Sequence, residues 1–348
     1  MKEMMRVAVM NGRQDVSIEQ RPIPTPGPGE VLIRIRTAGV CGSDLHYYAE
    51  GKIGDIPVQT PFVLGHEIAG TVVALGADVQ GLREGQLVAV EPGIPCGKCE
   101  MCRSGHYNLC PEMRFLATPP YDGAFSEYLA YPAEWVFALP EGMNATQGAL
   151  IEPLAVGFHA ARQGGAQAGQ TAVVTGSGCI GLVSMMALKA MGINRVYMVD
   201  VMEKRLEKAL ELGADGAINA AKEDVLAKIA ELTDGRGVDL VIETAGTQVT
   251  TVQAIHMAKK GATIVLVGYS RTGELTLPVS LALDKELTFK TVFRYRHIYP
   301  MAIEAVAAGR INLKGIVTNC YDLDDVQQAM DDSVKNKADI VKAVVRIG

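Results

Sequence analysis

Apolar residues follow two different rhythms along this chain. Up to about residue 150, short apolar runs such as Arg6-Val7-Ala8-Val9-Met10, Val31-Leu32-Ile33-Arg34-Ile35 and Thr71-Val72-Val73-Ala74-Leu75 are separated by Pro and Gly clusters. Runs of that length between turn formers predict strands, so the first part reads as a β-rich domain with many turns. The stretch Pro22-Ile23-Pro24-Thr25-Pro26-Gly27-Pro28-Gly29 lies between two such runs and reads as a short polyproline-like connection. From about residue 170, apolar runs alternate with helical patterns. Thr171-Ala172-Val173-Val174-Thr175 precedes a helix reaching Met191; Arg195-Val196-Tyr197-Met198-Val199-Asp200 precedes another over 203–212. Strands are predicted again at Val238-Asp239-Leu240-Val241-Ile242-Glu243 and Ala262-Thr263-Ile264-Val265-Leu266-Val267. This alternation is the mark of βαβ units and a parallel sheet. The last 50 residues carry helical patterns at 301–308 and 323–334 and a strand-like Ile340-Val341-Lys342-Ala343-Val344-Val345.

At 348 residues the chain is long enough for two domains. Its 48% hydrophobic and 21% charged residues are those of a globular protein with a substantial core. A net charge of −6 argues against a nucleic-acid or anionic-membrane partner, because phosphates and lipid headgroups repel an acidic body. A small-molecule partner is expected. Met1-Lys2-Glu3-Met4-Met5-Arg6 shows neither a signal nor a transit peptide, which predicts a cytoplasmic protein. The uncharged stretch 163–188 is long enough to span a bilayer but is rich in Gly and carries a turn signal, so it reads as strand, turn and helix.

Directly after the strand at 171–175 stands Gly176-Ser177-Gly178-Cys179-Ile180-Gly181. In this context Gly176 permits a tight turn, Gly178 lets the backbone approach a pyrophosphate, and Gly181 allows close helix packing, with the helix N-terminus facing the anion. Asp200 lies nineteen residues after Gly181 at the end of the next strand, where a carboxylate accepts hydrogen bonds from ribose hydroxyls and repels a 2′-phosphate. NAD is therefore expected over NADP. Lys204 and Arg205 nearby soften that repulsion. A flavin or mononucleotide fold is the competing reading.

Four of the seven Cys crowd into Cys96-x-x-Cys99-x-x-Cys102 and Cys110. In a reducing compartment such crowding points to metal, and four thiolates suit a closed, structural Zn²⁺ site. An iron–sulfur cluster and a nucleic-acid zinc ribbon are alternatives from the same spacing. A more dispersed set, Cys41-Gly42-Ser43-Asp44-Leu45-His46, Gly65-His66-Glu67 and Glu152-Pro153, offers one thiolate, one imidazole and one or two carboxylates. Such a set holds Zn²⁺ while leaving a position open for water or substrate, which is the arrangement of a catalytic zinc.

Together with the four-Cys loop and the glycine turn, these stretches resemble the zinc-dependent medium-chain dehydrogenases, and within them the sorbitol (L-iditol) and xylitol dehydrogenases. The likeness runs through the whole chain and is carried most specifically by Cys41-Gly42-Ser43-Asp44-Leu45-His46-Tyr47-Tyr48, Ile151-Glu152-Pro153-Leu154-Ala155-Val156-Gly157 and Val292-Phe293-Arg294-Tyr295. It implies an α/β architecture: a GroES-like β-rich catalytic domain over 1–153 and 296–348, enclosing a Rossmann domain, a doubly wound parallel sheet, over 154–295, with the active cleft between them. It implies two zinc ions per chain. The catalytic one is held by Cys41, His66 and Glu67, with Glu152 coordinating it or hydrogen-bonding its water; the structural one is held by Cys96, Cys99, Cys102 and Cys110. A carboxylate in place of the Cys found in typical alcohol dehydrogenases makes the metal a harder Lewis acid, which suits polyols.

The same resemblance implies a cofactor site of Gly176, Gly178, Ile180, Gly181, Asp200, Arg205, Val267, Gly268, Tyr269, Val292, Phe293 and Arg294, and substrate contacts from Tyr47, Glu152, Arg294 and Tyr295. On sequence alone Arg294-Tyr295-Arg296-His297 reads as an ordinary solvated loop, and Arg296 and His297 depart from the family pattern. The expected reaction is oxidation of a secondary hydroxyl of a polyol to the ketose, with zinc lowering the alcohol's pKa and hydride passing to NAD⁺. Ser43 and His46, or alternatively Glu152, would carry the proton. A tetramer or dimer is expected. The runner-up activity is a 2,3-butanediol or L-threonine dehydrogenase; a catalytically silent nucleotide-binding relative is the reading from another class.

Overall fold

The computed structural model describes residues 3–270 and 273–348. They form two compact units, one of Met1–Glu152, Tyr299–Ala308 and Val317–Gly348, the other of Pro153–Ile298 and Gly309–Ile316.

The first unit is built on a seven-stranded sheet. Its strands run in the order Val136–Ala138, Leu87–Val90, Glu67–Leu75, Glu30–Gly39, Ala343–Arg346 and Asn319–Asp322, and Tyr128–Pro132 also pairs with Glu30–Gly39. The strand Glu30–Gly39 is central because apolar residues occupy both of its faces; Val31, Ile33, Ile35 and Ala38 have no exposed surface. The strand Asp15–Pro22 pairs on one side only, and its residues are half-buried or exposed. The C-terminal strand Ala343–Arg346 pairs antiparallel with Glu30–Gly39, which brings the end of the chain into the N-terminal unit.

The second unit is a six-stranded parallel sheet in the order Gly216–Asn219, Arg195–Asp200, Thr171–Thr175, Val238–Glu243, Ala258–Leu266 and Thr288–Thr291. This is the doubly wound dinucleotide-binding order. Its central strands are near-continuous apolar runs because helices cover both faces. The stretch 163–188 resolves into the strand Thr171–Thr175 and the helix Cys179–Ala190. Among the described residues no helix is long and apolar enough to cross a membrane. Gly309–Ile316 belongs with this unit, with Leu313 and Ile316 buried and Gly315 abutting the Leu212 side chain.

The helix Ile151–Gln163 packs against the helix Cys179–Ala190 at Gly157, where an added Cβ would lie 2.7 Å from the carbonyl of Val183. Overpacking of this kind costs about 1–3 kcal/mol. Gly157→Ala is therefore expected to lower the thermal midpoint of the folded chain, and an unchanged melting curve would show that this helix contact is not tight.

Candidate active site

The centre of the first unit's site is assembled by a helix start and a strand start. Cys41 precedes the helix Gly42–Glu50, and the Asp44 carboxylate in its first turn reaches back to accept the Cys41 N–H at 3.0 Å. The other oxygen of Asp44 accepts the N–H of Gly65, also at 3.0 Å. One carboxylate with 0% exposure thus ties the segment bearing Cys41 to the segment bearing His66 and Glu67. His66 and Glu67 are buried, and the His66 ring lies 5.6 Å from the ring of Phe115. Glu67 opens the strand Glu67–Leu75 opposite Gly39. A Cβ at Gly39 would lie 1.9 Å from Glu67 Oε2, so only glycine leaves room for the carboxylate.

One ligand atom each from Cys41, His66 and Glu67 lies within 4.8 Å of the others. Two polar atoms here, His66 Nδ1 and Glu67 Oε2, are buried without a hydrogen-bond partner. Lys342 Nζ donates to Glu67 Oε1 at 2.6 Å and to the Val40 carbonyl at 2.9 Å; it is 2.5 Å from Oε2, but off its hydrogen-bonding direction. Burial works against a proton on His66, yet Asp44, 3.6 Å from Nδ1, and Cys41 outweigh it and raise the ring's pKa well above the ordinary value. The surroundings favour positive charge at this point. A thiolate, an imidazole and a carboxylate, with two atoms that make no hydrogen bond, fit a divalent zinc.

Glu152 is buried at the start of the helix Ile151–Gln163 and is not one of the three clustered residues. Its charge acts on Glu91, whose pKa burial pushes up to about 7 against the pull of a hydrogen bond from the Tyr107 hydroxyl. Ser43 is half-buried. His46 is 47% exposed, 3.5 Å from Glu50. Tyr47, expected against substrate, lies in the apolar core, edge-on to Phe62 at 6.4 Å.

The four-Cys loop closes on itself. The thiols of Cys96, Cys99, Cys102 and Cys110 lie within 4.8 Å of one another, with Cys99 Sγ 3.4 Å and Cys96 Sγ 4.0 Å from Cys102 Sγ. A tetrahedron with arms of about 2.3 Å has edges of about 3.8 Å, so the spacing suits four thiolates on one zinc. Gly97 and Gly105, both with positive φ, make the turns.

In the second unit Gly176 takes a φ of 91° and Gly178 precedes the helix Cys179–Ala190. A Cβ on Gly181 would sit 1.8 Å from the Gly176 carbonyl oxygen. Ile180 is half-buried in this first helical turn, and Arg205 Nη1 comes close to Gly178. Asp200 accepts the N–H of Ser177 at 2.6 Å and of Met202 at 2.9 Å, so it fixes the turn as well as presenting an acceptor. The Ser177 hydroxyl is buried without a partner, a polar orphan in the cradle where a phosphate belongs. Val267 and Gly268 donate their N–H groups to the Glu243 carbonyl, and Tyr269 is exposed. Val292 N–H is held by the Leu266 carbonyl. Phe293 lies under the Arg294 guanidinium at 4.7 Å, Arg294 and His297 have positive φ, and Tyr295 is buried. Arg162 reaches the His297 carbonyl at 3.4 Å, so this stretch is a structured bend rather than a solvated loop.

Sequence reasoning missed Asp44 as a tie, Lys342, Gly39 and Phe115. Asp44 three residues after Cys41 is a capping pattern, and Lys342 is the lone charge in an apolar strand-like run; both were visible signals.

Residues 27–141 match the alcohol dehydrogenase GroES-like domain, and residues 179–308 match the zinc-binding dehydrogenase domain. The chain belongs to the zinc-binding alcohol dehydrogenases. A sorbitol dehydrogenase of Bacillus subtilis is 41% identical over 341 residues, covering 98% of this chain and 97% of that one. A crystal structure of an Escherichia coli oxidoreductase of unknown specificity superimposes with a TM-score of 0.95 at 41% identity, covering 99% of both chains. A crystal structure of a 2R,3R-butanediol dehydrogenase from Bacillus subtilis gives a TM-score of 0.91 at 35% identity, covering 99% of this chain and 100% of that one.

Two measurements test this geometry. Breaking a buried ion pair by removing one partner costs about 3–5 kcal/mol. Lys342→Met is therefore expected to destabilise the zinc-stripped protein strongly and the zinc-loaded protein less, since the cation then neutralises Glu67. Equal losses in the two states, measured by thermal melting, would separate Glu67 from the metal. Cys41→Ser is expected to abolish turnover with the fold retained, whereas Cys99→Ser is expected mainly to lower stability; zinc content and circular dichroism of the two variants distinguish these outcomes.

Proposed function

We propose that this chain oxidises a polyol of the sorbitol or xylitol class at a secondary hydroxyl, giving the ketose and reducing NAD⁺. The observation that carries the reading is the cluster of half-buried Cys41 with buried His66 and Glu67, two of whose polar atoms make no hydrogen bond, in a chain that also carries the glycine turn with Asp200. Its resemblance to a sorbitol dehydrogenase over nearly the full length supports the substrate class.

In this reading Cys41, His66 and Glu67 hold the catalytic zinc, with Glu152 as an added ligand or the acceptor for its water, and Cys96, Cys99, Cys102 and Cys110 hold the structural one. Zinc, when bound, supplies Lewis acidity that brings an alcohol's pKa toward neutrality. NAD⁺ supplies the hydride acceptor. Asp44 keeps the Cys41 and Gly65 segments in place through its two N–H contacts. Ser43 takes up the substrate's proton, and His46, exposed and beside Glu50, passes it to water. Gly176, Gly178, Ile180 and Gly181 receive the pyrophosphate, while Asp200 and Arg205 face the adenosine ribose; each Asp200 oxygen keeps a lone pair beyond the main-chain bond it already accepts. Val267, Gly268, Tyr269, Val292 and Phe293 form the nicotinamide side. Arg294 and Tyr295, with Tyr47, hold the remaining hydroxyls, and a simple alcohol would leave their polar groups unpaired. Among the described residues no Cys is in a disulfide, which a cytoplasmic location would preserve, and we expect a dimer or tetramer.

Substrate choice decides the reading. Rates with sorbitol, xylitol, ribitol and L-iditol under NAD⁺ are expected to exceed those with 2,3-butanediol and L-threonine. Arg294→Ala should lose about 1.5–3 kcal/mol in kcat/KM with a pentitol, the range for a hydrogen bond to a charged group, and much less with butanediol. A uniform loss would take the polyol contact away from Arg294, and a higher wild-type rate with butanediol would favour the butanediol reading.

A further inference from the structure

Three strands of the parallel sheet end level with one another. Thr175 is in register with Glu243, and Glu243 with Leu266, so the turns that follow these strands meet at one place. Two consecutive residues, Glu243 and Thr244, make many of the polar contacts there. Glu243 is 1% exposed. Its Oε1 accepts the N–H groups of Ala245 at 2.9 Å and Gly246 at 3.0 Å, and the hydroxyls of Thr250 at 2.8 Å and Thr175 at 3.4 Å. Its Oε2 lies 3.2 Å from the Gly246 nitrogen, and its main-chain carbonyl accepts from Val267 and Gly268. The Thr244 hydroxyl donates to the Thr175 carbonyl at 2.7 Å and lies 3.2 Å from the Gly176 carbonyl. It also fills the space beside the glycines: a Cβ on Gly176 would lie 2.7 Å from this oxygen, and one on Gly181 3.2 Å from it.

We propose that Glu243 and Thr244 are positioning residues for the cofactor, holding the Gly176 turn in the left-handed conformation in which it receives the pyrophosphate. The inference rests on the dinucleotide reading above and deepens it. A turn with φ of 91° gains nothing from regular secondary structure, and its carbonyls need donors. Thr244 brings one hydroxyl proton from the neighbouring strand end, given mainly to the Thr175 carbonyl at the entry to the turn with the Gly176 carbonyl as the longer contact. Glu243 in turn fixes Thr244 by gathering the N–H groups of the next two residues, so Thr244 cannot swing away. Burial pushes the Glu243 pKa up, and the donors around it pull the other way. The same pair reaches the opposite side of the cofactor region: Gly246 is packed on the Tyr269 carbonyl and Gly268 on the Gly246 nitrogen. An error at Thr244 would therefore be felt at the Gly176 turn first and at the 267–269 stretch second.

The test separates a positioning hydroxyl from simple filling of space. Thr244→Val keeps the volume and removes the donor; Thr244→Ser keeps the donor and removes the methyl. With the full-length, zinc-loaded enzyme, the NADH dissociation constant is measured by cofactor fluorescence, together with the KM for NAD⁺, the KM for xylitol, kcat and the thermal midpoint. Thr244→Val is expected to weaken NADH and raise the KM for NAD⁺ by roughly five- to tenfold, the worth of one neutral hydrogen bond. The KM for xylitol and kcat at saturating NAD⁺ are expected to stay within about twofold, and Thr244→Ser to bind NADH like the wild type. Glu243→Gln, which keeps the acceptor at Oε1, is expected to fall between wild type and Thr244→Val. Wild-type NADH binding by Thr244→Val, or a loss confined to Thr244→Ser, would overturn the positioning role. Failure of the unaltered enzyme to bind NADH would overturn the dinucleotide reading itself, and this inference with it.

Discussion

The candidate metal centre depends on a single carboxylate. Cys41 and the pair His66 and Glu67 come from segments more than twenty residues apart, and neither segment is regular structure at the point where it meets the other. Asp44 joins them by accepting one N–H from each. Hydrogen bonds to a charged acceptor are worth about 1.5–3 kcal/mol each, enough to outweigh the entropy of ordering a residue or two on either side. Geometry at the metal then follows: with the Cys41 and Gly65 nitrogens fixed, the side chains that follow them converge within 4.8 Å.

The second constraint is electrostatic. Glu67 and Lys342 are almost wholly buried, at 1% and 3% exposure, and neither charge would be stable there alone. The ammonium donates to one carboxylate oxygen and lies 2.5 Å from the other without a hydrogen bond, while Asp44 and Cys41 favour positive charge at His66 beside it. Lys342 also donates to the carbonyl just before Cys41, so it adds a second tie to the thiol-bearing segment. The strand Ala343–Arg346 pairs with Glu30–Gly39 and thereby carries this lysine, 275 residues from Glu67, to its place. That pairing gives a mechanical reason for the C-terminal segment to return to the first unit.

Much of this was legible in the sequence because its signals are local. The four-Cys spacing fixes a closed loop within fifteen residues, and the glycine turn between a strand and a helix defines its own geometry. The alternation of apolar runs and helical patterns named the parallel sheet, since buried central strands cannot alternate polar and apolar. What escaped was tertiary. Nothing local says that Lys342 faces Glu67, that Phe115 lies against His66, or that a charge-free Gly39 is required by a carboxylate on the next strand. Burial of both Tyr47 and Tyr48 against the first unit's core is likewise a matter of packing that no local pattern announces. The bend at 294–297 reads as a loop until Arg162 is seen to hold its carbonyl and Phe293 its guanidinium.

A common device underlies the functional turns of both units. Chain that must present main-chain N–H groups or ligands to a guest cannot spend them on helix or sheet partners, yet buried N–H groups need acceptors. Asp44, Asp200 and Glu243 meet that need at three separate turns, each accepting at least two main-chain N–H groups. A carboxylate does this better than an amide or hydroxyl, because it offers about four acceptor sites and brings no donor of its own that would require a partner. Its burial cost is met by the same N–H groups it organises, so the turn and the charge stabilise each other. These turns are consequently held by charge and hydrogen bonds as well as by the close packing around their glycines. Their shapes are thereby set before any guest arrives, which is what a metal ligand set and a pyrophosphate cradle require.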